Sequence, residues 1–222
     1  MKKMNHHRIR SYVPRGRRTP AQERAYVKLW PQFGLSIEDG LLDSQQVFGC
    51  SLHTTLEIGF GSGQSLVALA KLKPECHFIG VETHQPGIGA LLMGVEENQL
   101  TNVRVYYNDV VDVLEQCIPL ASLDNVQIFF PDPWQKRRHH ERRLIQPEFI
   151  ALVVSRLKVG GTLQLATDWE DYAKEMKQVI LAETQLSNLM TERCSGRPIM
   201  TKFEKRALRE GRSIWDMAVI KV

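Results

Sequence analysis

The chain has 222 residues, 43% of them hydrophobic and 24% charged, a balance that suits one α/β domain with a sizeable core. No uninterrupted apolar run approaches the roughly 20 residues that a membrane helix needs, and no apolar segment typical of a secretory signal follows the basic N-terminus. We therefore predict a cytoplasmic protein with no membrane partner.

The net charge of +4 is distributed unevenly along the chain. Residues 1–18 contain seven Lys and Arg and no acid, and residues 136–143 contain five Lys and Arg with one Glu. The rest of the chain holds more acids than bases. Two short cationic tracts indicate contact with a polyanion, although a flexible solvated tail would explain the first tract alone.

Cysteine and histidine spacing favours neither a disulfide framework nor a metal site. The four cysteines lie far apart with no C-x-x-C pair, and the histidines at 6–7 and 139–140 are adjacent pairs. Two ligands on one helix face would need a spacing of four residues. We predict reduced thiols and no bound metal.

The N-terminal region lacks hydrophobic periodicity up to Pro20. We expect a basic, flexible extension over residues 1–20 and one folded domain over residues 21–222. Thr19-Pro20 has the composition of a helix start, and this helix is expected to end before Pro31. Residues 33–51 are predicted to form a loop with short regular pieces.

Strand and helix patterns alternate from Thr54 onward. The predicted strands are 54–58, 76–81, 103–107, 126–130 and 162–167. The predicted helices begin near residue 62 and then cover 86–98, 111–116, 147–157 and 169–183, with a turn at 158–161. Segments 198–203 and 214–221 are predicted to close the sheet as an antiparallel pair. This alternation predicts an α/β fold with a doubly wound, mostly parallel sheet.

A glycine-rich loop joins the first of these predicted strands to its helix, with Gly59, Gly61 and Gly63 spaced as G-x-G-x-G after Glu57. Such a loop lets the backbone approach a ligand at a helix N-terminus. The dinucleotide fingerprint G-x-G-x-x-G and the phosphate-loop ending Gly-Lys-Ser/Thr are both absent. The loop is similar to the nucleoside-binding loop of class I S-adenosylmethionine methyltransferases; a tight turn with no ligand is the alternative.

Each of the five predicted parallel strands delivers an acid at or just after its carboxyl end. These acids are Glu57, Glu82, Asp109, Asp132 and Asp168. Ligands of doubly wound sheets bind beyond this edge, and carboxylates accept hydrogen bonds from ribose hydroxyls and from the adenine amino group. Glu82 is suited to a ribose in methyltransferases and in NAD enzymes alike, whereas Asp109 could accept from adenine N6.

The most specific stretch of the chain is Pro131-Asp132-Pro133-Trp134, which is followed by a basic run. The two prolines impose a rigid, extended exit from the strand and fix the direction of the Asp132 carboxylate. Trp134 offers a flat surface on which a base could stack, and the basic run suits phosphates. A core aromatic residue and a solvated helix start are the alternatives.

This stretch resembles the P-D-P-W-x-K-x-R-H-x-x-R-R signature of bacterial tRNA (guanine-N7)-methyltransferases, the TrmB family. The likeness extends to G-F-G-x-G-x-S-L from Gly59, E-x-H-x-P-G-x-G from Glu82, T-D-W from Thr167 and T-K-F-E from Thr201. It covers nearly the whole chain. Departures from the family pattern at Ser62, Thr83 and Gln135 remove no charged group.

The resemblance implies a Rossmann-like fold and transfer of a methyl group from S-adenosylmethionine to N7 of a guanosine in tRNA, at position 46 of the variable loop. Asp132 would be the catalytic residue. The cofactor would be bound by Glu57, Gly59, Gly61, Gly63, Glu82, Asn108, Asp109 and Asp132. The guanosine would be bound by Lys136, Asp168, Thr201, Lys202, Phe203 and Glu204. The tRNA would be bound by Arg138, His139, His140, Glu141, Arg142 and Arg143.

Three other functions remain open from the residues alone. A methyltransferase acting on a small molecule or a protein would show no RNA affinity and would leave the two basic tracts unexplained. A non-enzymatic RNA-binding module would not bind the cofactor, against which the strand-end acids argue. An NAD dehydrogenase is disfavoured by the glycine spacing. The sequence carries no prediction of oligomeric state.

Overall fold

The structure of the chain is a computed structural model that describes residues 16–194 and 197–222. Most of the basic tract predicted over residues 1–18, including Arg8, Arg10 and Arg15, lies outside the described residues. The helices are α1 Pro20–Phe33, α2 Ser44–Phe48, α3 Gln64–Leu72, α4 Gln85–Glu97, α5 Val110–Gln116, α6 Pro147–Arg156, α7 Glu170–Ala182 and α8 Lys202–Arg209. Within these ranges no helix is long and apolar enough to cross a membrane.

The strands form one sheet in the order β1-β4-β3-β2-β5-β6-β8-β7. They are β1 Gly34–Leu35, β2 His53–Ile58, β3 Cys76–Val81, β4 Val103–Tyr106, β5 Leu123–Phe129, β6 Leu157–Thr167, β7 Leu186–Met190 and β8 Trp215–Lys221. Strands β1 to β6 pair in parallel, and β8 runs antiparallel between β6 and β7. The predicted fold class is confirmed. The strand order reverses between β2 and β5, which makes their carboxyl ends the topological switch point.

Helices cover both faces of the parallel strands. Residues of α5, α6 and α7 pack with Leu56 and Ile58 of β2 into one buried cluster. Residues of α1, α3 and α4 pack with Phe78 of β3 into a second. Because both faces are covered, β2 and β3 are buried along nearly their whole length, as parallel strands usually are.

Helix α1 is longer than predicted, since it continues through Pro31 to Phe33. Its start is as predicted: the Thr19 hydroxyl accepts from the Gln22 backbone N–H and the Gln22 side chain accepts from the Thr19 N–H. Pro31 removes one backbone hydrogen bond near the end of the helix. The burial of Leu29 and Phe33 on the same helix compensates for this loss.

The turn predicted at residues 158–161 is instead part of β6. Leu157 pairs with Leu123 and Thr162 pairs with Asn125, so the intervening residues form an irregular excursion from the ladder. Gly160 has a φ of +81°, a conformation that favours glycine. The glycines therefore mark a break in register within one strand.

Strand β8 pairs antiparallel with both β6 and β7, and the strand predicted at residues 198–203 is wrong. Thr201 instead caps α8: its hydroxyl accepts from the Glu204 N–H at 3.1 Å, and the Glu204 carboxylate accepts from the Thr201 N–H at 3.4 Å. This capping box was readable from the sequence as T-x-x-E. Strand β7 gave no comparable signal, because its side chains do not alternate between buried and exposed.

Candidate active site

A cavity of about 300 Å³ opens beyond the carboxyl ends of β2, β3, β4 and β5, beside the switch point. Its volume is at the lower end of the range of small-molecule sites. Predicted site residues on its lining are Gly59, Gly61, Glu82, Asn108, Asp132, Arg142, Lys202 and Phe203, together with Trp134. A smaller gap next to it is bordered by Glu57, Gly59, Thr201, Lys202 and Phe203. The structure thus brings most of the predicted cofactor residues together.

Two glycines of the loop after β2 have different physical reasons to be glycine. Gly59 has a φ of +72°, and a Cβ placed there would meet no atom within 4 Å, so its backbone borders open space. Gly63 has a φ of +73°, and a Cβ there would lie 2.7 Å from the Leu91 side chain of α4. Gly59 therefore leaves room for a ligand, whereas Gly63 permits close packing of the loop against α4.

Glu82 holds this glycine loop through its carboxylate. One oxygen accepts from the Gly61 N–H at 2.8 Å, and the other accepts from the N–H groups of Thr83 at 2.8 Å and His84 at 3.0 Å. These bonds fix the orientation of the carboxylate at the cavity wall. An ionised carboxylate has about four acceptor positions, so capacity remains for a ribose hydroxyl.

Glu57 is the buried acid behind the same loop. Its side chain is 4% exposed, and its Oε2 has no hydrogen-bond partner among the described atoms. Burial, and then the nearby charge of Glu82, raise the pKa of this carboxyl to about 8. A buried polar atom left unpaired costs about 1–3 kcal/mol, which a cationic ligand group entering the smaller gap would offset.

The segment after β5 is held in an unusual backbone conformation. Phe130 has a φ of +55° and Trp134 a φ of +45°, and Asp132 lies between them. Conformations of this kind cost about 1–3 kcal/mol each in non-glycine residues and cluster at functional sites. Asp132 is an exposed residue at the cavity wall, and the protein around its carboxyl raises the pKa by desolvation.

Trp134 borders the cavity and is half-buried, which disfavours the core alternative. The Arg142 guanidinium lies 5.1 Å from the centre of its ring, and the His139 ring meets its edge with the ring centres 5.8 Å apart. Arg138, Glu141 and Arg142 are exposed. Of these groups, Trp134 and Arg142 border the cavity, and they form a rim of one aromatic and one basic side chain there.

Arg143, predicted to bind tRNA, lies in the protein interior. Its side chain is fully buried, its Nε donates to the Pro133 carbonyl at 2.9 Å, and it pairs with Asp171 and Glu175 of α7. The side chain has no exposed surface in this structure, and its predicted contact with tRNA stays a prediction. His140 also lies next to these acids, with its Nδ1 3.3 Å from the Glu175 carboxylate.

His140, Asp171 and Glu175 form a cluster whose possible ligand atoms lie within 4.8 Å of one another. The Arg143 guanidinium already lies between the two acids, at 2.8 Å from Asp171 and 2.6 Å from Glu175. It supplies the positive charge that a metal ion would bring. The cluster is therefore explained by the ion pairs of the protein itself.

Three other predicted acids already have partners. Asp109 caps α5 by accepting from the Val111 N–H at 2.9 Å. Asp168 pairs with Arg212 at 2.7 Å. Glu204 is buried and lies 3.2 Å from Arg193 and 3.6 Å from Arg197. None of the three borders the cavity, and their predicted ligand contacts stay predictions.

Two arginines that matter here were missed by the sequence reasoning. Arg212 pairs with Asp168, and the fully buried Arg197 joins Glu204 to Asp216 and lies 5.2 Å from the ring centres of Phe129 and Phe130. Glu204 and Glu210 are close in sequence to Arg197 and Arg212, but Asp216 lies 19 residues from Arg197 and Asp168 lies 44 residues from Arg212. No local spacing in the sequence indicates these pairs.

Comparison with known proteins agrees with this geometry. A family model described as "Putative methyltransferase" matches residues 52–217. The tRNA (guanine-N(7)-)-methyltransferase of Idiomarina loihiensis is 50% identical over 215 residues, covering 94% of this chain and 87% of the relative. The enzyme of the same name from Ectopseudomonas mendocina is 52% identical over 215 residues, covering 94% and 90%.

Solved structures match the fold at much lower sequence identity. The 16S rRNA methyltransferase KamB superposes with a TM-score of 0.58 at 14% identity, covering 82% of this chain and 95% of that chain. The similarity in sequence, which extends over nearly the whole length of the two relatives, identifies the family. The chain belongs to the tRNA (guanine-N(7)-)-methyltransferase family.

Proposed function

We propose that this protein transfers the methyl group of S-adenosylmethionine to N7 of a guanosine in tRNA, at position 46 of the variable loop. The reaction is the one named for relatives about half identical over 94% of the chain. The observation that carries the proposal is the position of Asp132, which shares one cavity with the glycine loop and with the rim of Trp134 and Arg142.

The residues around the glycine loop fit this cofactor. The unpaired Oε2 of Glu57 would accept from its ammonium group, and Gly59 leaves open space for its methionine part. Glu82 would accept from the ribose, and Asn108 borders the far side of the cavity. When bound, S-adenosylmethionine supplies an electrophilic methyl group on a positively charged sulfonium.

The substrate nitrogen needs no activation by a base. Guanine N7 carries an in-plane lone pair and no proton, so Asp132 has no proton to remove. As the methyl group is transferred, positive charge develops on the purine, and the Asp132 carboxylate is placed to stabilise it. Pro131 and Pro133 hold the Asp132 carboxylate in position before the reaction begins.

The walls of the cavity favour a substrate with a flat ring that is attached to a polyanion. Trp134 offers a face for stacking, while Phe203 of α8 lies above Gly61 and is 42% exposed. Arg142 borders the cavity, Lys136 and Arg138 are exposed in the same basic run, and these three cations would contact phosphates. Asp132, with Asp168 if it is released from Arg212, would accept from the guanine Watson–Crick edge and so disfavour adenine.

The role that we propose for Glu204 differs from the one that the sequence resemblance implies. The sequence resemblance implies a guanosine contact, but the carboxylate is buried and paired with two arginines. We assign Glu204 to holding the start of α8, which presents Lys202 and Phe203 to the cavity.

The cytoplasm as the place of action, and a basic extension over residues 1–20 that contacts tRNA, remain part of this proposal.

Methyl transfer to unmodified tRNA tests the function directly. The protein would be incubated with S-adenosylmethionine and tRNA transcripts carrying G46 or A46, and digested nucleosides analysed by mass spectrometry. We expect 7-methylguanosine from the G46 transcript alone. Methylated adenosine or methylation of both transcripts at equal rates would contradict the assignment of base or position.

The Asp132→Asn variant tests the role of the carboxylate in the same assay. It keeps the shape of the side chain but loses the charge, so we expect kcat to fall by about 100-fold or more with tRNA affinity nearly unchanged. The wild-type rate should be nearly flat from about pH 6.5 to 8.5, because no base must lose a proton. A single-turnover rate that rises tenfold per pH unit would restore a general-base role.

A further inference from the structure

The loop that carries Asp132 is joined to helix α7 by Arg143. Arg143 Nε donates to the Pro133 carbonyl oxygen at 2.9 Å. The terminal nitrogens of the same guanidinium lie 2.8 Å from the Asp171 carboxylate and 2.6 Å from the Glu175 carboxylate. Asp171 and Glu175 are one turn apart on α7, so one guanidinium contacts both acids. Its Nε at the same time contacts the loop, and the side chain therefore links the helix to the loop.

The aromatic residue between these acids adds a second constraint. Arg143 lies 4.8 Å from the ring centre of Tyr172, and the Tyr172 hydroxyl accepts from the Ile145 N–H at 3.0 Å. The guanidinium is buried although the two acids are partly exposed, so removing an acid that pairs with it leaves the Arg143 charge in the protein interior. The Arg143 side chain therefore has one well-defined position.

The backbone of the loop from Phe130 to Trp134 offers few hydrogen-bond donors. Pro131 and Pro133 lack backbone N–H donors, and Phe130 and Trp134 have positive φ values. At one end the Phe130 N–H donates to the Ala166 carbonyl at 2.8 Å. At the other end the contact from Arg143 to Pro133 provides the tether. Asp132 is suspended between these two points.

We propose that Arg143 is a positioning residue of the methyl transfer, which fixes the Pro133 carbonyl and thereby the Asp132 carboxylate, and that it does not contact tRNA. This inference rests on the proposed function, since it concerns the rate of that reaction. A lysine at this position keeps the charge but has one nitrogen, which does not reproduce the fork that reaches Pro133 and both acids together.

The Arg143→Lys variant provides the test, with Arg104→Lys as the matched control. Arg104 also donates to backbone carbonyls, those of Val47 and Val103 at 2.7 Å, and lies 4.8 Å from the centre of an aromatic ring, that of Phe48. Arg104 does not border the cavity. We expect Arg143→Lys to lower kcat by about 10- to 100-fold at saturating tRNA and cofactor. The tRNA Kd and its salt dependence should stay at the wild-type values, and Arg104→Lys should leave kcat unchanged.

Hydrogen exchange of the unliganded protein gives a readout that does not depend on activity. Backbone amides over residues 134–142 should exchange faster in Arg143→Lys than in the wild type or in Arg104→Lys. Asp171→Asn weakens the same tether from the α7 side, and a smaller fall in kcat is expected. If Arg143→Lys does not fold, Asp171→Asn decides the question.

The outcomes separate this inference from the proposed function. A wild-type protein that leaves tRNA guanosine unmethylated contradicts the function, while hydrogen exchange still tests the tether. An active wild type with unchanged kcat in Arg143→Lys and Asp171→Asn overturns the positioning role alone, even if thermal stability falls. Weaker tRNA binding with a shallower salt dependence and unchanged kcat would show that Arg143 contacts phosphate.

Discussion

Glu57 is a buried carboxylic acid next to a row of polar side chains on the sheet. It pairs in register with Gln127 on β5, and Glu57 Oε2 and Gln127 Oε1 are both without a hydrogen-bond partner among the described atoms. A proton on the Glu57 carboxyl reduces the cost of this arrangement, because a neutral acid is cheaper to bury than a carboxylate. The raised pKa of about 8 has this cause.

We predict that Glu57 makes the stability of the unliganded protein depend on pH. The unfolded chain loses this proton near the ordinary pKa of 4.5, whereas the folded chain keeps it up to about pH 8. Between these values, rising pH favours unfolding by at most roughly 1.4 kcal/mol per pH unit. The variant Glu57→Gln removes the effect, so its stability relative to wild type should rise between pH 5 and 8 and level off above.

Urea unfolding of wild type and Glu57→Gln at pH 5, 6.5 and 8 checks this prediction. The variant Glu97→Gln, at an exposed position on α4, controls for the general loss of a negative charge. A constant difference between wild type and Glu57→Gln at all three pH values would mean that Glu57 is ionised in the folded protein.

Local signals in the sequence predicted the cavity residues that follow strand ends, whereas Lys202 and Phe203 of α8 were predicted only through the family resemblance. Gly59, Glu82 and Asp132 follow strand ends, so their common location follows from the strand pattern and the parallel sheet. Arg142 and Arg143 show that local signals do not predict which side chain is buried. They are chemically identical neighbours in one basic tract, yet Arg142 is exposed and Arg143 is buried. The difference depends on Asp171 and Glu175 of another helix, which no local pattern reveals.

The position of helix α8 also depends on contacts that no local sequence pattern predicts. Its hydrophobic residues are few, so its position depends on its N-terminus: the capping box of Thr201 and Glu204, and the buried Arg197 that joins Glu204 to Asp216. Arg197 also lies beside Phe129 and Phe130, where β5 ends. The ion pairs thus connect the helix that carries Lys202 and Phe203 to the strand that leads to Asp132.

We predict that Glu204→Gln destabilises the fold by about 3 kcal/mol, because it leaves part of the buried positive charge unpaired. Glu210→Gln is the control at the opposite, C-terminal end of the same helix, where the acid pairs with Arg206 and Arg212 near the surface. Urea unfolding should show a much smaller effect for this control. If Glu204→Gln is as stable as the control but has a strongly raised KM for tRNA, then Glu204 contacts the guanosine after all.

At the scale of the whole molecule, positive charge is concentrated where the substrate would bind. The exposed Arg142 borders the cavity, Arg138 is exposed in the same basic run, and the body of the protein is richer in acids than in bases. Such a distribution attracts a polyanion to one side and disfavours other orientations. The N-terminal cations at residues 1–15 lie outside the described residues, so their contribution is a prediction from sequence.

We predict that tRNA affinity falls steeply with salt, and that individual arginines contribute to the slope according to their exposure. Each phosphate contact lowers the logarithm of the binding constant by about 0.7–0.9 per tenfold increase in salt. Arg138→Ala and Arg142→Ala should each make the slope shallower by about this amount, as should Arg8→Ala or Arg10→Ala if the extension contacts tRNA. Arg143→Lys should leave it unchanged. Equal slopes for Arg138→Ala, Arg142→Ala and wild type would place the tRNA on another surface, even if the enzyme still methylates guanosine.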